Sequence, residues 1–407
     1  MSILIKNGIV VTQNPKREVV KADVYIESNK ISAIGKSLRY EVDNVINANG
    51  KIVMPGLINT HTHIAMSDLR SRVDDVNLDE FLKKTAEVDA TKTKEDVYKN
   101  AKEGIMELIM KGTTSFLDLY YDEDMIAKAA KEVGCRAFLA WAVLDDEFTT
   151  QKGSPIKNAE NFIAKFKSFS PLIKPVVGLQ GIYVCSIETM SKAKKLADSY
   201  KTIITMHVSE TKSEVENAIK KYGRTPIETM DEIGLLDDKM VAVHTVYLSS
   251  NDIKILKRNR VNTSYNPVSN MKLGNGPAAP IISFLKNKIN VTLGTDSVAS
   301  NNNLDMFESM KVGALLQKTI SGDPTAISSG EALDFATINA AKALGMEESL
   351  GSIEIGKLAD IIIVSAPLKG SKLNESNAIN DIVYYLQGLD VDCTIINGKI
   401  VYEKNKQ

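Results

Sequence analysis

Short apolar runs alternate with amphipathic stretches through the middle of the chain. The runs have strand length: Val53 to Asn59, Thr113 to Asp118, Ala137 to Leu144, Val176 to Gly181, Ile203 to His207, Val241 to His244, Val261 to Tyr265 and Val291 to Gly294. Between most of them the apolar period changes to 3.6, as in Glu95 to Met110, Met125 to Val133, Ser191 to Tyr200 and Ser213 to Tyr222, which predicts helices. This alternation over residues 55–349 is the sequence form of an α/β fold, the (β/α)8 TIM barrel, whose catalytic groups come from the C-terminal ends of its strands. The two chain ends read differently. Ile3 to Val11, Asp23 to Glu27 and Lys30 to Ile34 predict short strands, with turn residues such as Asn7-Gly8 between them. Ala359 to Val364 predicts a buried strand, and Thr394 to Tyr402 a hairpin around Asn397-Gly398, a pair suited to a type I′ turn. Residues 1–54 and 350–407 are therefore expected to build one small β-sandwich domain beside a barrel domain of residues 55–349.

Composition narrows the partners. The 407 residues carry 50 Lys and Arg against 51 Asp and Glu, so no bulk field attracts nucleic acid or an anionic membrane. The chain start, Met1-Ser2-Ile3-Leu4-Ile5-Lys6-Asn7-Gly8, lacks the layout of a secretory signal, and no apolar run approaches membrane-span length. Cys135, Cys185 and Cys393 are scattered without a paired motif, which fits a reducing cytosol rather than a disulfide framework. A soluble cytoplasmic protein acting on a small molecule is expected.

Histidine is scarce, with four in the chain: His61, His63, His207 and His244. One histidine after a strand is ordinarily a structural residue, and His-x-His alone is a weak sign of metal binding. Here all four stand at C-terminal ends of predicted strands, and His61 and His63, at i and i+2, can aim at one point. Asp296 follows the eighth predicted strand, and Glu210 lies three residues after His207. Singly, they would read as a helix N-cap and an exposed first-turn glutamate. Together, three imidazoles and a carboxylate suit a divalent metal, zinc above all, with a place left for an activated water.

With these residues in view, the chain resembles the amidohydrolase superfamily along nearly all its length. The resemblance rests on Pro55-Gly56-Leu57-Ile58-Asn59-Thr60-His61-Thr62-His63, the strand-end His207 and His244, Gly294-Thr295-Asp296 and the closing Gly351 to Asp360 segment. Within it, His207-Val208-Ser209-Glu210, Asn266-Pro267-Val268-Ser269-Asn270-Met271-Lys272-Leu273, and Asp296-Ser297-Val298-Ala299-Ser300-Asn301-Asn302 look like the methylthioadenosine and S-adenosylhomocysteine deaminase branch, which also contains triazine hydrolases.

The resemblance implies a single divalent ion, Zn2+ or Fe2+, held by His61, His63, His207 and Asp296. Binuclear relatives carry a modified lysine at the end of the fourth strand, and Gly178-Leu179-Gln180-Gly181 offers none. It further implies that Glu210 shuttles protons to the ring nitrogen beside the attacked carbon. By the same analogy His244 orients the attacking oxygen, and Asp296 passes its proton to the departing ammonia. Glu87, Gln180, Trp141, Ser297 and Glu210 are the expected substrate contacts, with Glu87 on ribose hydroxyls. Gln180 and Tyr265 stand where many members have histidine, and Trp141 where homocysteine-processing members can use arginine. Deamination of 5′-methylthioadenosine or adenosine is thus favoured over S-adenosylhomocysteine. Guanine, pterin or triazine hydrolysis and a non-catalytic binding scaffold are the alternatives, and many relatives form homo-oligomers.

Overall fold

The computed structural model describes residues 1–76, 78–366 and 373–404. Eight parallel strands form one sheet in sequential order: β1 Leu57–Thr62, β2 Thr113–Tyr120, β3 Arg136–Val143, β4 Ile173–Gly181, β5 Ile204–Val208, β6 Met240–His244, β7 Asn262–Tyr265 and β8 Asn290–Leu293. The expected barrel is therefore present. Its seam between β8 and β1 is closed by individual bonds: the Thr60 hydroxyl donates to the Leu293 carbonyl (2.9 Å), and the Asp296 N–H to the His61 carbonyl (3.0 Å). Asn59 spans the seam as well, with Nδ2 donating to Thr295 Oγ1 (2.7 Å) and Oδ1 accepting from the Thr295 N–H (3.1 Å).

Strand parity divides the side chains into two cores. Ile58, Leu119, Phe138, Ala140, Ala142, Val176 and Val241 share the barrel interior. Leu139, Trp141 and Val143 join the layer between strands and helices, with Phe162 and Ile163 of helix Pro155–Phe166. Burial on both faces is what gives parallel strands their unbroken apolar runs. Helix starts follow local chemistry: Thr93, Thr225, Ser249 and Ser328 each cap a helix in a reciprocal capping box.

The chain ends build one mixed eight-stranded sheet, hydrogen-bonded throughout. The two arms meet over a shared core that includes Ile3, Ile5, Val24, Ile361, Ile363 and Ile395. The predicted run Val53 to Asn59 proves to be two strands. Lys51–Pro55 belongs to the terminal sheet, pairing antiparallel with Ile361–Ser365, and the barrel begins at Leu57. Gly56 is the joint: a Cβ there would stand 2.2 Å from the Thr114 side chain. Asn7-Gly8 is not a turn between strands but a bulge within Ser2–Val11, where Asn7 takes φ 64° and its N–H donates to Asp23 Oδ1. The hairpin around Asn397-Gly398 forms as expected, with both residues at positive φ. A buried ion pair ties the sheet to the barrel, Arg136 of β3 donating twice to Asp360 (2.9 and 3.0 Å).

Candidate active site

The C-terminal ends of the strands carry a cluster of strained, buried backbone. Ser209, His244, Thr245 and Asp296 all hold positive φ, a costly conformation for non-glycine residues and one that clusters at functional sites. These turns swing His61, His63, His207, His244, Glu210 and Asp296 together. His207 Nε2 lies 3.3 Å from His61 Nε2, and Asp296 Oδ1 lies 3.5 Å from His61 Nε2 and 3.4 Å from His63 Nε2.

The donor set fits a divalent cation. One ligand atom each from His61, His63 and Asp296 lies within 4.8 Å of the others, and so do those of His61, His207 and His244. Carbonyls set two tautomers: His63 Nδ1 donates to Leu119 (2.5 Å) and His207 Nδ1 to Gln180 (2.6 Å), so both Nε2 atoms present lone pairs to the centre. His61 is fully buried, and its Nδ1 has no hydrogen-bond partner. Burial pushes His61, His207 and His244 down to about 3, which keeps the imidazoles neutral and able to ligate. His244 differs from His63 and His207. Its Nδ1 faces the side-chain amides of Asn266 (3.2 Å) and Asn270 (3.1 Å), and with both amides donating the ring proton stands on Nε2, 3.5 Å from Glu210 Oε2. That tautomer offers a proton to the centre where His63 and His207 offer lone pairs.

Two buried carboxyls are driven apart. Burial raises Glu210 well above the usual range, reinforced by the charges of Asp296 and Glu214 and opposed by Asn275, whose Nδ2 donates to Glu210 Oε1 (2.6 Å). Burial also raises Asp296, but the hydrogen bond with His61, reinforced by the other histidines around it, outweighs burial and holds that carboxyl low. Ser269 Oγ and the Ser297 N–H, each 2.7 Å from an Asp296 oxygen, stabilise the same ionised form. A protonated carboxyl facing an ionised one is the arrangement of paired acid and base groups.

A cavity of about 150 Å3 opens over these groups, and Gln180 and Ser297 line it. Glu87 does not. It is exposed, and its helix Leu78–Asp89 turns Thr85 and Asp89, one turn apart, toward the cavity instead. Trp141 also faces away from the histidines; Ala142 lines the cavity from β3, while the indole packs on Phe162 and donates to Gln151 Oε1 (2.6 Å). Trp141 instead lines an adjoining cavity of about 600 Å3 that shares Asp89 and Tyr121 with the first. Tyr265 is buried behind β7, its hydroxyl bonded to Gln317, so its departure from the family pattern does not touch the cavity. The sequence reading gave no role to Asn266, Ser269, Asn270 or Asn275. The only signal for the first three was their shared motif after β7.

The neutral histidines carry a pH dependence. An unfolded chain takes up protons on these rings below about pH 6.5, and the folded chain only near 3, so their contribution to stability is lost as pH falls through that window. Each ring is worth up to about 1.4 kcal/mol per pH unit. The raised carboxyls Glu210 and Glu214 act in the opposite sense. The ring term is therefore read as a difference: in urea titrations of chelator-treated protein at pH 7 and 5, His244→Gln loses less stability on acidification than wild type. Equal losses would contradict the buried neutral ring.

Residues 52–401 match the Amidohydrolase family model. The chain is 40% identical over 403 residues to the 5-methylthioadenosine/S-adenosylhomocysteine deaminase of Thermococcus sibiricus, covering 98% of this chain and 94% of that one. It is 39% identical to the 5′-deoxyadenosine deaminase of Methanobrevibacter smithii, covering 100% and 93%. Among solved structures, an adenosine deaminase from Xanthomonas campestris with bound zinc superposes with a TM-score of 0.93 at 29% identity, covering 98% and 92%. A triazine hydrolase from Arthrobacter aurescens shares the fold, with a TM-score of 0.90 at 22% identity over 99% and 95%. No helix among the described residues is long and apolar enough to cross a membrane.

Proposed function

The chain belongs to the amidohydrolase family, and on that premise we propose that it is a metal-dependent deaminase of an adenosine-type nucleoside, 5′-methylthioadenosine or adenosine, releasing ammonia and the inosine-type product. The observation that carries this reading is the placement of two carboxyls on one histidine cluster, Glu210 Oε2 3.5 Å from His244 Nε2 and Asp296 Oδ1 3.4 Å from His63 Nε2 and 3.5 Å from His61 Nε2. A divalent ion on His61, His63, His207 and Asp296, zinc in the first instance, supplies Lewis-acid activation of water at neutral pH.

The chain's own groups manage the protons. Glu210, held protonated by burial, gives its proton to the ring nitrogen beside the carbon under attack. His244, with Nε2–H toward Glu210, holds the attacking oxygen in line. Asp296, ionised, takes one proton of the water and passes it to the amino group, which leaves as ammonia, while the carbon keeps the oxygen, whose second proton returns to Glu210 as the carbonyl forms. Each transfer lowers the barrier of expelling a poor leaving group, general acid and base catalysis contributing ~10²- to 10⁴-fold.

The nucleoside reading is supported by the second cavity, which gives a substrate larger than a base room beyond Asp89 and Tyr121. Its cations Lys92 and Lys94 are already paired, the first with Asp68 and Asp89 and the second with Asp122 and Asp124. Lys152, its third cation, is exposed, so an uncharged 5′ substituent fits better than a buried amino-acid carboxylate. Ammonia release and the fall in adenine absorbance, measured over a panel, test the choice. The expected order places 5′-methylthioadenosine, 5′-deoxyadenosine and adenosine above S-adenosylhomocysteine in kcat/KM, with guanine and aminotriazines inert. A metal-loaded preparation preferring a bare heterocycle would overturn it.

A further inference from the structure

We propose that Glu214 is a positioning residue that fixes Glu210 relative to His207, an inference that rests on the reading of Glu210 as proton carrier. After His207 the chain leaves β5 through Val208 and turns at Ser209, whose φ is 52°. The turn leaves the N–H groups of Ser209 and Glu210 inside the protein, where an unpartnered donor is costly. Glu214 meets both. It sits at the third position of helix Lys212–Tyr222, behind the N-cap Thr211, whose hydroxyl accepts from the Glu214 N–H (3.1 Å). A glutamate at that position usually reaches back to the N-cap N–H. Here the carboxyl, besides its interaction with the Thr211 backbone, also reaches further, Oε1 accepting from Ser209 N–H and Oε2 from Glu210 N–H, each at 2.8 Å, with the side chain buried.

The same turn is held from its other side. The Ser209 carbonyl accepts from Val246 N–H (3.0 Å) and Tyr247 N–H (2.9 Å), in the loop that follows His244, and the Val208 carbonyl accepts from Thr245 N–H (3.0 Å). Three groups with separate tasks, His207, Glu210 and His244, are thus stitched to one peptide turn, and Glu214 supplies its inward-facing bonds. The carboxylate accepts two bonds where an amide of the same shape accepts one. Glu214→Gln therefore releases one N–H, lets the turn relax and moves the Glu210 carboxyl, and displacements of about 1 Å cost ~10²-fold in rate.

The test compares metal-loaded wild type, Glu214→Gln and Glu214→Asp, with kcat and KM on the preferred nucleoside, metal content, and hydrogen exchange at the amides of Ser209 and Glu210. Glu214→Gln is expected to lose kcat about 10- to 100-fold, with KM changed less than about threefold, full metal content and faster exchange at both amides. Glu214→Asp, which keeps two oxygens on a shorter arm, recovers part of the rate. A wild-type kcat in Glu214→Gln, or exchange unaltered at both amides, would overturn the proposal. A purely structural role would lower folded yield and leave kcat per loaded site unchanged, which also overturns it. If wild type turned over no nucleoside, the reading of Glu210 would fall, while exchange would still decide whether Glu214 holds the turn.

Discussion

Replacing Glu210 by glutamine is expected to lower kcat about 10³-fold, about 4 kcal/mol of barrier, while metal content stays at the wild-type value. The amide keeps the volume and can still accept from Asn275 Nδ2, whose bond to Oε1 anchors the side chain. What it lacks is the transferable proton that burial and the Asp296 charge keep on the carboxyl. Glu210 lies outside the proposed ligand set, so binding of the ion should not notice the change. Steady-state ammonia release with metal analysis of the same sample reads both quantities. A Glu210→Gln protein retaining near-full rate would remove Glu210 from the mechanism.

His61→Ala should fail in the opposite way, losing the metal first and activity as a consequence. His61 is fully buried, with its Nε2 3.3 Å from that of His207 and 3.5 Å from Asp296 Oδ1. Outer partners of ligating histidines cost 10- to 100-fold in metal affinity when mutated, so removing a ligand should cost more than about 100-fold. Competition titration with a chromophoric chelator measures this directly. An affinity within a few fold of wild type would take His61 out of the ligand set.

The barrel and the cluster were legible in the sequence for a shared reason. Most barrel strands are buried on both faces and so read as apolar runs, and histidine is rare enough that the placing of all four at just three run ends carries information. The same burial hid what failed. In Val53 to Asn59 the mark is the Pro55-Gly56 pair, where the chain passes from one sheet to another and which a single-strand reading runs through. Without alternation β3 gave no parity, so Trp141 was placed on the inner face that belongs to Ala142. Glu87 fell half a turn from the phase that Thr85 and Asp89 define. Asn275 and Glu214 were invisible for another reason. Asparagine and glutamate are common, and the bond from Asn275 to Glu210 spans 65 residues, a contact only the folded barrel creates.

This histidine and carboxylate cluster, loaded with one divalent ion, is proposed to hydrolyse the amino group of an adenosine-type nucleoside. The most direct measurement is ammonia released from 5′-methylthioadenosine and adenosine as chelator-stripped protein is titrated with Zn2+. Activity should rise from baseline and level off at one equivalent per chain, with ammonia and the inosine-type product formed in equal amounts. Full activity in the stripped protein, or a fully loaded protein that releases no ammonia from any adenine nucleoside, would contradict it.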